Sequence, residues 1–280
     1  MTLKQIVSSI LVCALLGLVL VFVARTQRGS VRIYNTAKQK LMEGKQIFGG
    51  MVTTSDPNIY CAMANAGFDF LWIEMQHSPL TYNEVAGMIW ACKGAPAIPF
   101  IRVPDATEGD IQKAMDIGAL GVVVPMVDTV EEAQAAVNYA KYPPLGRRSR
   151  GGGQYRALWG EDYRETINDN LVVVVMIETP SGVAIADQIA AVPGVDVVAA
   201  AAGDLESFSG YKPSDPQYEA LITKIRDDTL KAGKKLAGPQ AWRDRQGFSL
   251  FWSAYDYQLI RSGAELMLGR EPSPVPYPMP

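Results

Sequence analysis

The sequence predicts a (β/α)8 TIM barrel preceded by an N-terminal membrane anchor helix. Three observations carry that prediction: one long uncharged apolar run near the start, eight later apolar runs of strand length, and helix start signals between those eight. Runs that are apolar throughout are covered on both faces, as the strands of a parallel sheet are. Eight such units over about 235 residues suit a closed barrel. A doubly wound open sheet is the alternative. No GxGxxG or GxxxxGK[ST] follows the first strand, so a nucleotide-binding fold lacks its phosphate loop.

In chain order, residues 6–24 read IVSSILVCALLGLVLVFVA, uncharged between Lys4 and Arg25. That length crosses a bilayer as a helix. Residues 1–29 are therefore a transmembrane anchor, single-pass, or a signal segment cleaved on export. Phe22 and Ala24 match poorly the small residues that a cleavage site wants. Lys4 nearly balances Arg25, Arg28 and Arg32, so the positive-inside rule gives no orientation, and the short leader leans toward an extracytoplasmic domain. Residues 30–45 are a linker and leading helix, 46–270 the barrel domain, and 271–280 a Pro-rich extended tail with proline at every second position from Pro272.

The expected strands are Ile47 to Val52, Phe68 to Glu74, Ile98 to Val103, Gly121 to Pro125, Leu171 to Glu178, Val195 to Ala201, Lys235 to Gly238 and Ala264 to Leu268. Thr107 ahead of Ile111, and Thr129 followed three residues later by Glu132, mark helix starts between them. Gly151, Gly152 and Gly153 follow Arg147, Arg148 and Arg150 in a loop expected to be mobile.

Composition narrows the chemistry. A chain of 280 residues, 48% hydrophobic, can bury a full core. A net charge of -3 offers no basic face for phosphates, so no nucleic-acid partner is expected. The single histidine, His77, excludes three-His and HExxH zinc sites. Cys13, Cys61 and Cys92 make neither a zinc cluster nor a disulfide framework. Any metal must be held by carboxylates.

Barrel enzymes build their sites at the carboxyl ends of the strands. There the sequence places Glu74, Gln76 and His77 after the second strand, Arg102 after the third, Glu178 after the fifth and Asp204 after the sixth. Each has a plain structural reading as a cap, turn or ion-pair residue. Together they converge on one rim, and two carboxylates with oxygen ligands suit Mg²⁺ or Mn²⁺, with a 2-oxo acid completing the shell.

The stretches FDFLWIEMQHSPLTYNEV, PFIRVP, MDIGALGVVVPMVDTVEEAQAAVNYAKYPPLGRRSRG, VMIETPSGV and AAVPGVDVVAAAAGDLESFSG resemble the HpcH/HpaI aldolase family, the metal-dependent class II pyruvate aldolases of the phosphoenolpyruvate/pyruvate barrel superfamily. The resemblance covers about Asn35 to Gly269. It implies a (β/α)8 barrel, a homo-oligomer built from dimers and extending to hexamers, a divalent Mg²⁺, Mn²⁺ or Co²⁺, and reversible cleavage of a 4-hydroxy-2-oxo acid into pyruvate and an aldehyde. It implies that Glu178 and Asp204 ligate the metal and that Arg102 faces the 2-oxo oxygen. His77 is then the acid/base, with Asp116 as the carboxylate that orients it. Arg148, with the backbone at Gly203 and Asp204, is implied to bind substrate, and Glu74 and Gln76 to position water near the metal.

The departures from the family pattern are local. Glu74 and Gln76 stand where the family often has Asp and Glu, Met176 replaces a glutamine, and Ala202 replaces the loop proline. Arg147 and Arg150 beside Arg148 suggest an acidic or dicarboxylic substrate. Two alternatives remain open: another enolpyruvate reaction on the same site, such as oxaloacetate decarboxylation, and a membrane-tethered 2-oxo-acid-binding protein without turnover.

Overall fold

The computed structural model describes residues 31–272. The anchor expected over residues 6–24 and most of the tail expected over 271–280 lie outside them. Among the described residues no helix is long and apolar enough to cross a membrane. The rest forms one compact unit from Tyr34 onward.

Eight parallel strands close in sequence order, β1 Ile47–Val52, β2 Phe70–Glu74, β3 Ile98–Arg102, β4 Gly121–Val124, β5 Val172–Ile177, β6 Val197–Ala200, β7 Lys235–Pro239 and β8 Phe248–Tyr255. β2 to β6 are buried along their whole length, as double coverage by helices requires. The barrel interior is filled by rings, with Phe70 and Phe100 at 4.7 Å between centroids. Room for them comes from Gly49 and Gly121, where a Cβ would lie 2.2 Å from the Phe70 and Phe100 rings respectively.

The helices are α1 Thr36–Met42, α2 Pro57–Ala64, α3 Tyr82–Ala91, α4 Glu108–Asp116, α5 Val130–Ala140, α6 Tyr155–Trp159, α7 Tyr163–Asn170, α8 Pro180–Ala184, α9 Ala186–Ala191, α10 Ala202–Ser209, α11 Pro216–Lys231 and α12 Asp256–Met267. Both sequence start signals are caps. Thr107 accepts from the Asp110 amide, and Thr129 forms a reciprocal capping box with Glu132. The expected leading helix is α1, whose cap Asn35 donates to the carbonyls of Leu120 and Asn170 and so ties it beneath the barrel.

The eighth strand differs from the expectation. Ala264 to Leu268 form the end of α12 and the residue after it, with Leu266, Met267 and Leu268 exposed at 60%, 89% and 68%. The closing strand is β8, sealed by stacking of Phe251 on Phe48 and by contact of Trp252 with Trp72. The link from β7 to β8 contains only a 3₁₀ turn, Gln240–Trp242, in place of a full crossover helix. A search for one more helix before the last strand therefore overshoots it.

A further correction concerns the cysteines. Cys61 on α2 and Cys92 after α3 form a disulfide, with Cα atoms 5.4 Å apart. Within the glycine loop, Gly153 is closely packed, since a Cβ there would lie 2.3 Å from the Asp116 carbonyl oxygen, while Gly152 has open space around it.

Candidate active site

Because all eight strands are parallel, their carboxyl ends share one mouth. The register pairs Glu74 with Arg102 and Ile177 with Ala200, which sets the residues after β2, β3, β5 and β6 at the same level.

Glu74 and Arg102 form a buried ion pair, Nε to Oε2 at 2.6 Å. The other Glu74 oxygen accepts from the amides of Gln76 at 2.8 Å and His77 at 3.0 Å, and the indole of Trp72 donates to Oε2 at 3.3 Å. Four donors occupy this carboxylate. It orients Arg102 and fixes the turn that carries His77. Arg102 also contacts the Met176 sulfur at 3.8 Å, a weak bond where a glutamine would give a stronger one.

Glu178 follows β5 and is 2% exposed, with its Oε1 lacking any hydrogen-bond partner. Burial first, and the Asp204 charge second, push its carboxyl up to about 7, while Arg102 and the Met126 amide pull it down. Met126 is the only non-glycine residue with positive φ, +54°, among the described residues. That uncommon backbone state brings its N–H to the glutamate.

A buried carboxylate with one unpartnered oxygen beside a second carboxylate is a site that a hard cation would relieve. No group of three His, Cys, Asp or Glu side chains gathers among the described residues. Two protein oxygens would leave most of an octahedron to water and substrate, the usual state for Mg²⁺. Gly203 and Asp204 lie in the first turn of α10, whose start at Ala201 has no side-chain cap. Amides at an uncapped helix start are suited to hold an anion.

Arg102, His77, Gly203 and Asp204 line one cavity of 330 Å³ at the mouth. Sequence reasoning missed its aromatic lining: Trp72, Trp252, Tyr255 and Tyr257. The last three belong to β8 and α12, where the strand assignment slipped. Asp256, buried between those tyrosines, accepts from the amides of Thr53 and Thr54 at 2.7 Å each and so pins α12 to the end of β1.

Asp116 and Arg148 are not at this mouth. Asp116 ends α4, which runs back from β3 to the amino end of β4, and the loop carrying Arg148 follows α5 to the amino end of β5. There Arg148, whose side chain is fully buried, donates to Asp116 at 2.6 Å and to the Tyr163 hydroxyl at 3.0 Å. Within one chain Asp116 therefore does not orient His77, and Arg148 does not touch substrate. The motif spacing is retained, but both segments enter strands instead of leaving them. Arg148 therefore brings no charge to this mouth within one chain.

Known proteins resemble this chain in sequence and fold. A family model described as HpcH/HpaI aldolase/citrate lyase matches residues 49–242. A hydroxypyruvate/pyruvate aldolase of Chromohalobacter salexigens is 35% identical over 213 residues, 72% of this chain and 84% of that protein. A 2-keto-3-deoxy-L-rhamnonate aldolase of Escherichia coli is 31% identical over 210 residues, covering 73% and 78%. A crystal structure of an HpcH/HpaI aldolase/citrate lyase family protein from Burkholderia cenocepacia superposes with a TM-score of 0.76 at 27% identity, over 84% of this chain and 98% of that one.

Proposed function

The chain belongs to the HpcH/HpaI aldolase/citrate lyase family and is a carbon–carbon lyase of the aldolase type, and we propose that it reversibly cleaves a 4-hydroxy-2-oxo acid to pyruvate and an aldehyde, dependent on a divalent cation. The observation that carries this reading is the pair Glu178 and Asp204 beside Arg102, next to the uncapped start of α10.

Glu178 and Asp204 would hold the divalent cation, Mg²⁺, Mn²⁺ or Co²⁺, which would supply positive charge to offset the negative charge that develops on the substrate. The amides of Gly203 and Asp204 hold the substrate carboxylate. Arg102, kept rigid by Glu74, faces the 2-oxo oxygen and balances the charge that grows there as the C3–C4 bond breaks and its electron pair moves to the enolate. His77 takes the proton of the C4 hydroxyl as that oxygen becomes the aldehyde carbonyl. Protonation of C3 then gives pyruvate. Gln76 has a buried side-chain oxygen without a partner, which suits it to hold a water.

Exposed apolar side chains on and after α12, including Ile260 at 55%, support a homo-oligomer built from dimers. The Cys61–Cys92 disulfide supports an extracytoplasmic domain tethered by residues 6–24, or released by cleavage there, since such bonds persist in oxidising compartments.

The test is a pyruvate-release assay over several 4-hydroxy-2-oxo acids with and without metal. Release only with Mg²⁺, Mn²⁺ or Co²⁺, abolished by chelation, is expected; turnover without metal would sink the mechanism. His77→Ala removes turnover and keeps metal binding. Loss of binding in that variant would show that the imidazole is a ligand.

A further inference from the structure

The 330 Å³ cavity has a polar floor and an aromatic wall. Arg102, Asp204 and His77 form the polar end. The rest of the lining is aromatic: Trp72 lies under the Arg102 guanidinium, 5.9 Å from its ring centroid, and meets Trp252 at 5.4 Å and 51°, while Tyr255 stacks on Tyr257 at 5.4 Å and 14°. Among the described residues that line the cavity, Arg102 is the one permanent cation, and Glu74 already pairs with it. A second cleft of 340 Å³ continues past Gly203 and Trp252, which line both, and its wall includes Tyr218, Pro239 and Trp242. The charged groups on that cleft are also paired, Glu206 with Lys212 and Arg245 with Glu219.

We propose that the aldehyde half of the substrate is an uncharged aryl group, so that the enzyme cleaves 4-aryl-4-hydroxy-2-oxo acids. This inference rests on the aldolase reading above and names the substrate class of that same site. With the 2-oxo acid head on Arg102, His77 and Asp204, the lining left for the C4 substituent is largely aromatic. A planar group there makes offset or edge contacts with four aromatic side chains. A second carboxylate in the same place would lose its hydration and find no unpaired cation. The adjoining cleft accommodates substituents longer than one ring, past Trp252.

The experiment uses the full-length protein with Mn²⁺ and compares kcat/KM for three substrates: 4-hydroxy-2-oxo-4-phenylbutanoate, its 4-methyl counterpart 4-hydroxy-2-oxopentanoate, and the dicarboxylate 4-hydroxy-2-oxoheptanedioate. The phenyl compound is expected to exceed the methyl one at least tenfold and the dicarboxylate by more. Trp252→Leu lowers the phenyl-to-methyl ratio. Should that variant fail to fold, Tyr257→Ala, at a side chain 42% exposed, gives the same readout, with a fall of at least threefold expected mainly through KM. A dicarboxylate preference, or a ratio that neither variant moves, overturns the inference while leaving the aldolase reading intact. Failure of all three substrates overturns both.

Discussion

At the scale of single residues, the site is governed by the cost of keeping Glu178 charged. Its carboxyl lies near pH 7 because burial and the Asp204 charge disfavour the anion. A cation must displace a proton from it below that pH, so metal affinity rises about tenfold per pH unit up to about 7 and levels off above. Titration calorimetry with Mn²⁺ from pH 5.5 to 8.5 checks this, and a flat profile would show that Glu178 is not a ligand. The linked effect on the metal-free protein has the opposite sense. The folded pKa exceeds the ordinary 4.5, so the stability contribution is complete below 4.5 and is lost as pH rises through 7, by about 3 kcal/mol. Glu178→Gln removes both dependences. Glu178, Asp204, Arg102 and His77 were legible in the sequence, because a polar residue after an apolar strand lies at the barrel mouth whatever the side chains beyond it do. The role of Glu74 was not, since it needs the turn after β2 to fold the Gln76 and His77 amides back onto the carboxylate and the β2–β3 register to bring Arg102 beside it.

At the scale of elements, seven of the eight strands were readable because uniform apolarity survives any change of neighbours. β8 was not. Its run FSLFWSAY is separated from β7 by only a 3₁₀ turn, and the apolar end of α12 imitates a buried strand although it is exposed. The aromatic wall was lost with that strand. A second element-level feature hidden from the sequence is the Cys61–Cys92 tie between α2 and α3, since two cysteines apart in the chain say nothing of their distance in space. Closing a loop of 31 residues stabilises by about 3.5 kcal/mol on the chain-entropy model. Protein isolated from its own cells without reductant should resist alkylation at both cysteines. Reducing it should lower the free energy of urea unfolding by about 2–4 kcal/mol. Ready alkylation of both thiols would place the domain in a reducing compartment and defeat the extracytoplasmic assignment.

At the scale of the whole molecule, the barrel separates two groups that the family resemblance places in one mechanism. His77 lies at the carboxyl mouth and Asp116 at the amino end of β4, with the strands between them. A single chain cannot bring an imidazole and a carboxylate together across that length. If Asp116 orients His77, it does so for a neighbouring copy, and the exposed apolar residues of α12 give such a neighbour a place to pack. The consequence is testable by complementation. His77→Ala and Asp116→Asn are each expected to be nearly inactive. Mixed after mild dissociation, they should form hybrids in which the His77 of one variant meets the Asp116 of the other, and random pairing in dimers restores about a quarter of the wild-type sites. Absence of recovery in verified hybrids would confine Asp116 to its ion pair with Arg148 and make it a support of the barrel's amino end alone.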